Sequence, residues 1–250
     1  MHVSLSAQEV INIGGFSITN TLITTWVVMT LIVLISYLGT KNMHSVPKGL
    51  QNLLELSIEK LFNFFNSVWE NREQTKKYFS LLATFFIFII VANWLGLLIE
   101  AIPGIKYIGF FKNQNGHEAF VPLFRSVNSD LNATLSWAII SVFLVQVFGI
   151  TSLGVIKYGS KFFNFQSPIY FFVGILEFIS EFAKVVSFSF RLFGNIFAGE
   201  VLLVVVAAIA PLIAPIPFYG LEIFVGFVQA LVFTMLTLVF IKMAVTVAHH

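Results

Sequence analysis

Glu177, Glu181, Lys184, Arg191 and Asn195 follow one another at intervals of 4, 3, 7 and 4 inside the stretch Ile169 to Ala210, which is otherwise largely apolar. At 3.6 residues per turn these intervals put all five side chains on one face of a helix, with Phe188 at the missing step. Glu200 lies nine residues beyond Arg191, two and a half turns on, and points away from that face. Glu222 and Gln229 are seven apart on a later apolar segment and share a face able to turn toward Glu200. Two polar surfaces are expected, one on each side of a long helix.

Charged groups inside spanning helices cost about 2.5 to 3.5 kcal/mol each on insertion scales, so they face protein or water and mark ion pathways. A guanidinium keeps its proton at any working pH, which rules out Arg191 as a proton relay and leaves it as a fixed charge. Such a cation favours the ionised form of a carboxylate passing close by and repels cations leaking straight through. Glu200 and Glu222 are the relay candidates, because a carboxyl group both accepts and donates protons. Asn195 and Gln229 offer hydrogen bonds to a water chain. The alternative for Glu177, Glu181 and Lys184 is that they are paired charges gluing helices together, for example Glu181 with Lys184. Arg191 has no acidic residue three or four positions away on its own helix.

The elements that must hold these groups are membrane helices. Of 250 residues 58% are hydrophobic and 10% charged, and the mean hydropathy is +0.91, outside the range of water-soluble domains. A net charge of +2 and the lack of a basic run interleaved with aromatics exclude nucleic acid as a partner. Five apolar segments are long enough to cross a hydrocarbon layer of about 30 Å: Leu22 to Leu38, Tyr78 to Ile99, Leu131 to Ile156, Ile169 to Ala210 and Phe218 to Val247. The first has no Lys or Arg before Lys41 and no small-residue cleavage site after it, so it is expected to stay attached. The fourth would extend about 63 Å as one helix, roughly twice the layer, and must tilt steeply or bend. Pro211, Pro215 and Pro217 then turn the chain into the fifth.

Residues 47–77 are too charged to span. Leu50, Leu54, Ile58, Leu61, Phe65, Val68 and Trp69 share one face at helical spacing, as expected of a helix on the membrane surface or of a loop helix packed on protein. With the N-terminus outside, the inner loops hold Lys41, Lys48, Lys60, Arg72, Lys76, Lys77, Lys157 and Lys161, against Lys106, Lys112 and Arg125 outside. The C-terminus is then inside. Walker, GxGxxG, HExxH and GxSxG motifs are absent. His2, His44 and His117 are isolated, His249 and His250 make only a weak metal pair, and no cofactor or metal site is expected.

"SFSFRLFGNIFAGE" (187–200), followed by "LEIFVGFVQALVFTMLTLVF" (221–240), closely resembles subunit a of F-type ATP synthases, the stator part of a membrane-embedded proton channel. "NWLGLL" (93–98) and "DLNATLS" (130–136) resemble the family less strongly. The resemblance implies contact with a rotating ring of small hairpin subunits (the c-ring), each with a buried carboxylate, and two offset aqueous half-channels. It also implies peripheral-stalk b subunits and a soluble catalytic sector that makes the ATP, so that this chain is not itself an enzyme. Arg191 matches the family's essential arginine. Glu200, Glu222, Asn195 and Gln229 match positions tied to the outer half-channel, and Glu222's position varies in the family between an acid and a histidine. Glu177 and Lys184 match inner positions, to which helical spacing adds Glu181. Asn93 and Asp130 match further polar positions, although Asp130 is an equally good N-cap for the third segment.

The expectation is an all-α membrane protein: one integral membrane domain over residues 1–250, about five transmembrane helices, one amphipathic interfacial helix and a long, steeply tilted C-terminal hairpin. Its expected function is proton translocation in a bacterial plasma membrane, coupled to ATP synthesis. A proton- or cation-coupled secondary transporter is the alternative, and inverted repeats or broken mid-membrane helices would favour it. A non-transporting scaffold would tolerate apolar replacement of the Glu and Arg residues.

Overall fold

A computed structural model describes residues 7–246 apart from 15, 107, 115–116, 163–166 and 212. Two short strands, β1 (Glu9–Ile13) and β2 (Phe16–Thr19), form an antiparallel hairpin. Thr19 then caps α1 (Asn20–Thr40), its side chain accepting from the Leu22 amide. The segment 47–77 divides in two. α2 covers Leu50–Trp69 and ends where Glu70 takes a left-handed φ of 60°. Asn71 accepts from the Glu73 and Gln74 amides and opens α3 (Arg72–Ala101), so residues 72–77 are the first turns of a spanning helix.

A short helix, α4 (Pro103–Lys106), leads into an antiparallel hairpin of β3 (Gly109–Gln114) and β4 (His117–Pro122). A 3-10 turn over Val127–Ser129 precedes Asp130, the cap of α5 (Leu131–Leu153). The third apolar segment ends three residues before Ile156 because Gly154, at a φ of 82°, turns the chain into the short α6 (Val155–Gly159). Ser167 and Pro168 start α7 (Pro168–Ile209), and Pro215 starts α8 (Pro215–Val245). Residue 247, the last of the fifth segment, lies outside the described residues, as do His2, His249 and His250.

Among the described residues five helices are long and apolar enough to cross a membrane: α1, α3, α5, α7 and α8. The 42 residues of α7 form one unbroken helix, about 63 Å long. It fits a hydrocarbon layer of about 30 Å only by lying steeply across it or projecting from it. α3 packs on α8, and α5 packs on both α7 and α8. One core, with Phe65, Trp69, Tyr78, Leu82 and Ile241, ties α2 to α3 and α8. Another, with Phe85, Ile89, Phe188, Leu192 and Phe233, joins α3, α7 and α8 midway.

Lipid is as apolar as these side chains, so helix association rests on close packing and interhelical hydrogen bonds. Ser141 and Thr237 bridge α5 to α8 at 2.8 Å, and Thr134 and Ser189 bridge α5 to α7 at 3.2 Å. The Asn93 amide donates to the Gly226 carbonyl at 3.0 Å and the Trp94 indole to the Ile223 carbonyl at 3.1 Å. These two contacts fix α8 against α3 beside the polar groups of the hairpin.

Candidate functional site

The polar stripe of α7 does not stay on one side of the bundle. Glu177, Glu181 and Lys184 are half-buried and Phe188 is buried, but Arg191 and Asn195 are exposed. Seven-residue spacing drifts about 20° per repeat on a 3.6-residue helix. Packing follows the true period, through Phe188, Leu192, Ile196, Gly199 and Leu203, and leaves Arg191 on the flank. Its Nη2 donates to the Ser187 hydroxyl at 3.4 Å, a long contact. Among the described residues no carboxylate pairs with it.

Glu200 and Glu222 lie inside. They are 8% and 9% exposed and border one cavity of about 20 Å³, shared with Asn93, Gly96, Glu100 and Ser126. That is room for about one water. Ser126 Oγ is buried with no hydrogen-bond partner among the described residues, the kind of atom that ordered water satisfies. Arg125 Nη2 stands 3.9 Å from Glu200 Oε2, and its Nε donates to the Ser129 hydroxyl at 3.1 Å. Two glycines make the approach possible: a Cβ on Gly199 would overlap the Glu222 carboxylate, and one on Gly96 would overlap Ser126.

Around this cavity Asn93 is held at both ends, donating to Gly226 and accepting from the Asn128 amide at 2.6 Å. Gln229 is buried two turns beyond Glu222 on α8. Asp130 serves as a cap and a strut: Oδ1 accepts from the Asn132 amide at 3.0 Å and Oδ2 from the Thr21 hydroxyl at 2.9 Å, tying α1 to α5. It does not border the cavity.

The remaining charges gather toward the start of α7. Glu177 pairs with Lys161 at 2.6 Å. Glu181 accepts from Lys184 at 2.7 Å and from the Gln146 amide at 2.7 Å, and Gln146 Oε1 accepts from the Tyr158 hydroxyl at 2.6 Å. Lys184 also lies over the Phe240 ring, 4.5 Å from its centroid. Burial, and then the negative charges of Glu181 and Glu177, push the Tyr158 phenol from 10.0 up to about 12, so it is a permanent donor. Glu181 and Lys184 thus pair within α7, and Glu177 pairs with Lys161 beyond the start of that helix.

Arg191 therefore stands between two acidic groups. Glu181 is ten residues away and Glu200 nine, about 15 Å and about 14 Å along the axis in opposite directions. Glu100, Ser126, Gln146 and Tyr158 were not among the residues singled out by sequence, and Arg125 counted there only as a loop charge. Gln146 alone carried a signal, as an amide within an apolar segment. Among the described residues no group of His, Asp and Glu is arranged to hold a metal ion.

Residues 22–242 match the family model described as "ATP synthase A chain". The chain is 31% identical to an ATP synthase subunit a of Moorella thermoacetica over 93% of this chain and 94% of that protein. It is 35% identical to one of Gloeobacter violaceus, over 90% and 83%, and 33% identical to one of Campylobacter fetus, over 89% and 88%. Both the family match and these alignments run through the hairpin that carries Arg191, Glu200 and Glu222, and this chain belongs to the ATP synthase A chain family.

Proposed function

We propose that this chain is the stationary proton-conducting subunit of an ATP synthase membrane sector, passing protons to and from carboxylates on a rotating ring while other subunits make the ATP. The observation that carries this reading is the division of α7 and α8. A cation faces outward on α7 without a carboxylate partner among the described residues, while the Glu200 and Glu222 carboxylates share an inner cavity with that of Glu100. Arg191 is the fixed charge that keeps a passing ring carboxylate ionised and blocks direct proton leakage.

Glu200 and Glu222 exchange protons with water on one side of that barrier, with Asn195 and Gln229 as hydrogen-bonding groups along the path. Glu177, Glu181 and Lys184 belong to the other side, where their pairing holds the approach polar. Asn93 positions α8 against the cavity, and Asp130 positions α5. The excess of basic residues in one set of loops supports an orientation with the N-terminus outside a bacterial plasma membrane and the C-terminus inside. Contacts with the ring, the b subunits of the peripheral stalk and, indirectly, the soluble sector follow from this role. Each proton crossing releases about 2.3 kcal/mol per 100 mV, and the ring interface converts it to torque. The unbroken run of α7 supports this reading over a secondary transporter, whose sites use discontinuous helices.

Replacing Arg191 tests the proposal. With Arg191→Ala in the assembled complex, ATP-driven acidification of reconstituted vesicles is expected to vanish. Normal coupled pumping by that variant would overturn it.

A further inference from the structure

Where α3 begins and α5 and α8 end, an open cavity of about 690 Å³ lies over Trp69 and is bordered by Asn71, Gln74, Lys77, Ser152 and Lys242. No acidic side chain borders it among the described residues. Lys242 is half-buried and donates one proton to the Val68 carbonyl at 3.0 Å, which leaves two N–H groups on the ammonium. No carboxylate pairs with it among the described residues. Lys77 is exposed and lies 5.3 Å from the Tyr78 ring centroid. The nearby acids are turned to other uses: Glu73 pairs with Lys76 at 3.2 Å, and Glu70 is exposed at the left-handed turn.

Of the other polar groups, Asn71, Gln74 and Ser152 can donate, while the Thr151 and Thr246 hydroxyls give their protons to the Phe148 and Lys242 carbonyls. Asn71 Oδ1 is taken by the amides of Glu73 and Gln74, so its Nδ2 is the end left for a ligand. The Ser152 hydroxyl and the Gln74 side chain make no hydrogen bond to a described residue. Two ammonium groups with amide and hydroxyl donors, and no counter-charge among the described residues, suit an anion with several tetrahedral oxygens. The floor is rigid, since Trp69 stacks on Tyr78 at 5.1 Å. The cavity also lies at the charged first turns of α3, just before its apolar run from Tyr78, which is the level of lipid headgroups.

We propose that this cavity binds a phosphate group, carried by an anionic phospholipid headgroup or by free inorganic phosphate, with Lys242 and Lys77 as its charge partners. The proposal does not depend on the proton pathway. The test uses the assembled membrane complex in vesicles of phosphatidylcholine, of phosphatidylcholine with phosphatidylglycerol, and of phosphatidylcholine with inorganic phosphate on both faces. Acylation of Lys242 and Lys77 by an amine reagent is followed by peptide mass spectrometry, with exposed Lys60 of α2 as the reference that feels the same surface potential.

Protection of Lys242 by about tenfold relative to Lys60 is expected. Protection by phosphatidylglycerol alone identifies a lipid headgroup, and protection by inorganic phosphate identifies the free ion. Equal acylation rates in all three preparations would overturn the proposal. Lys77→Gln with Lys242→Gln is expected to weaken retention of the anion by about thirtyfold in native mass spectrometry. Unchanged retention in a complex that still pumps would overturn it too.

Discussion

The Glu222 carboxylate lies against the backbone of Gly199, in the space a Cβ on that residue would fill. Since Gly199 immediately precedes Glu200 on α7, this one contact brings the two carboxylates to the same cavity. Gly199→Ala pushes Glu222 away at an overpacking cost of about 1–3 kcal/mol. ATP-driven proton pumping is expected to fall by about five- to a hundredfold if that cost appears in the barrier. Gly220→Ala, where a Cβ meets nothing within 4 Å, is the matched control. Equal rates for the two variants would mean that Glu222 needs no fixed place.

Asp130 separates capping from transport. Asn caps a helix about as well as Asp, and its amide can still meet the Thr21 hydroxyl. Asp130→Asn is therefore expected to assemble and pump nearly normally, whereas Asp130→Ala loses about 1–2 kcal/mol of stability. The checks are the thermal midpoint of the purified complex and its pumping rate. An assembled Asp130→Asn complex that cannot pump would give the carboxylate charge a part in transport.

Much of this arrangement was legible in the sequence, and its gaps have physical causes. The hairpin of α7 and α8 was readable because apolar length and three prolines are local signals. The polar face of α7 was readable only in part: spacing put Arg191 with Glu181, but packing follows the 3.6-residue period and turned Arg191 outward. Arg125 and Tyr158 were missed because their partners, Glu200 and Gln146, lie 75 and 12 residues away, and no period records such pairings. Glu70 ended α2 through a left-handed φ that a non-glycine residue does not announce. The two β-hairpins were too short to stand out between apolar segments.

Tyr158 predicts an alkaline limit. Its folded-state value, about 12, lies above the ordinary 10.0, so folding favours the protonated phenol. The stability this contributes is complete below about pH 10 and is lost as pH rises from there toward 12. The wild-type complex is expected to lose thermal stability across that window, and Tyr158→Phe, which has no phenol to ionise, to lose less. The same variant removes the donor to Gln146, and with it the constraint on the amide that binds Glu181. An identical pH profile for both proteins would show that Tyr158 is not held protonated.

Glu200 and Glu222 border one cavity, which makes a quantitative statement about their joint loss. Relay groups in series act as a unit, so removing the second after the first has gone adds little, whereas groups on independent paths lose function separately. Glu200→Gln and Glu222→Gln are each expected to lower proton flux through the membrane sector by about a hundredfold or more. The double variant is expected to fall no further than the worse single. Glutamine keeps the volume and much of the hydrogen bonding of glutamate, so cavity collapse does not explain the loss. Flux is measured as dissipation of an imposed pH gradient in vesicles stripped of the soluble sector. A double variant whose loss equals the product of the two single losses would place the carboxylates on separate routes, and the shared cavity would then be packing without a role in conduction.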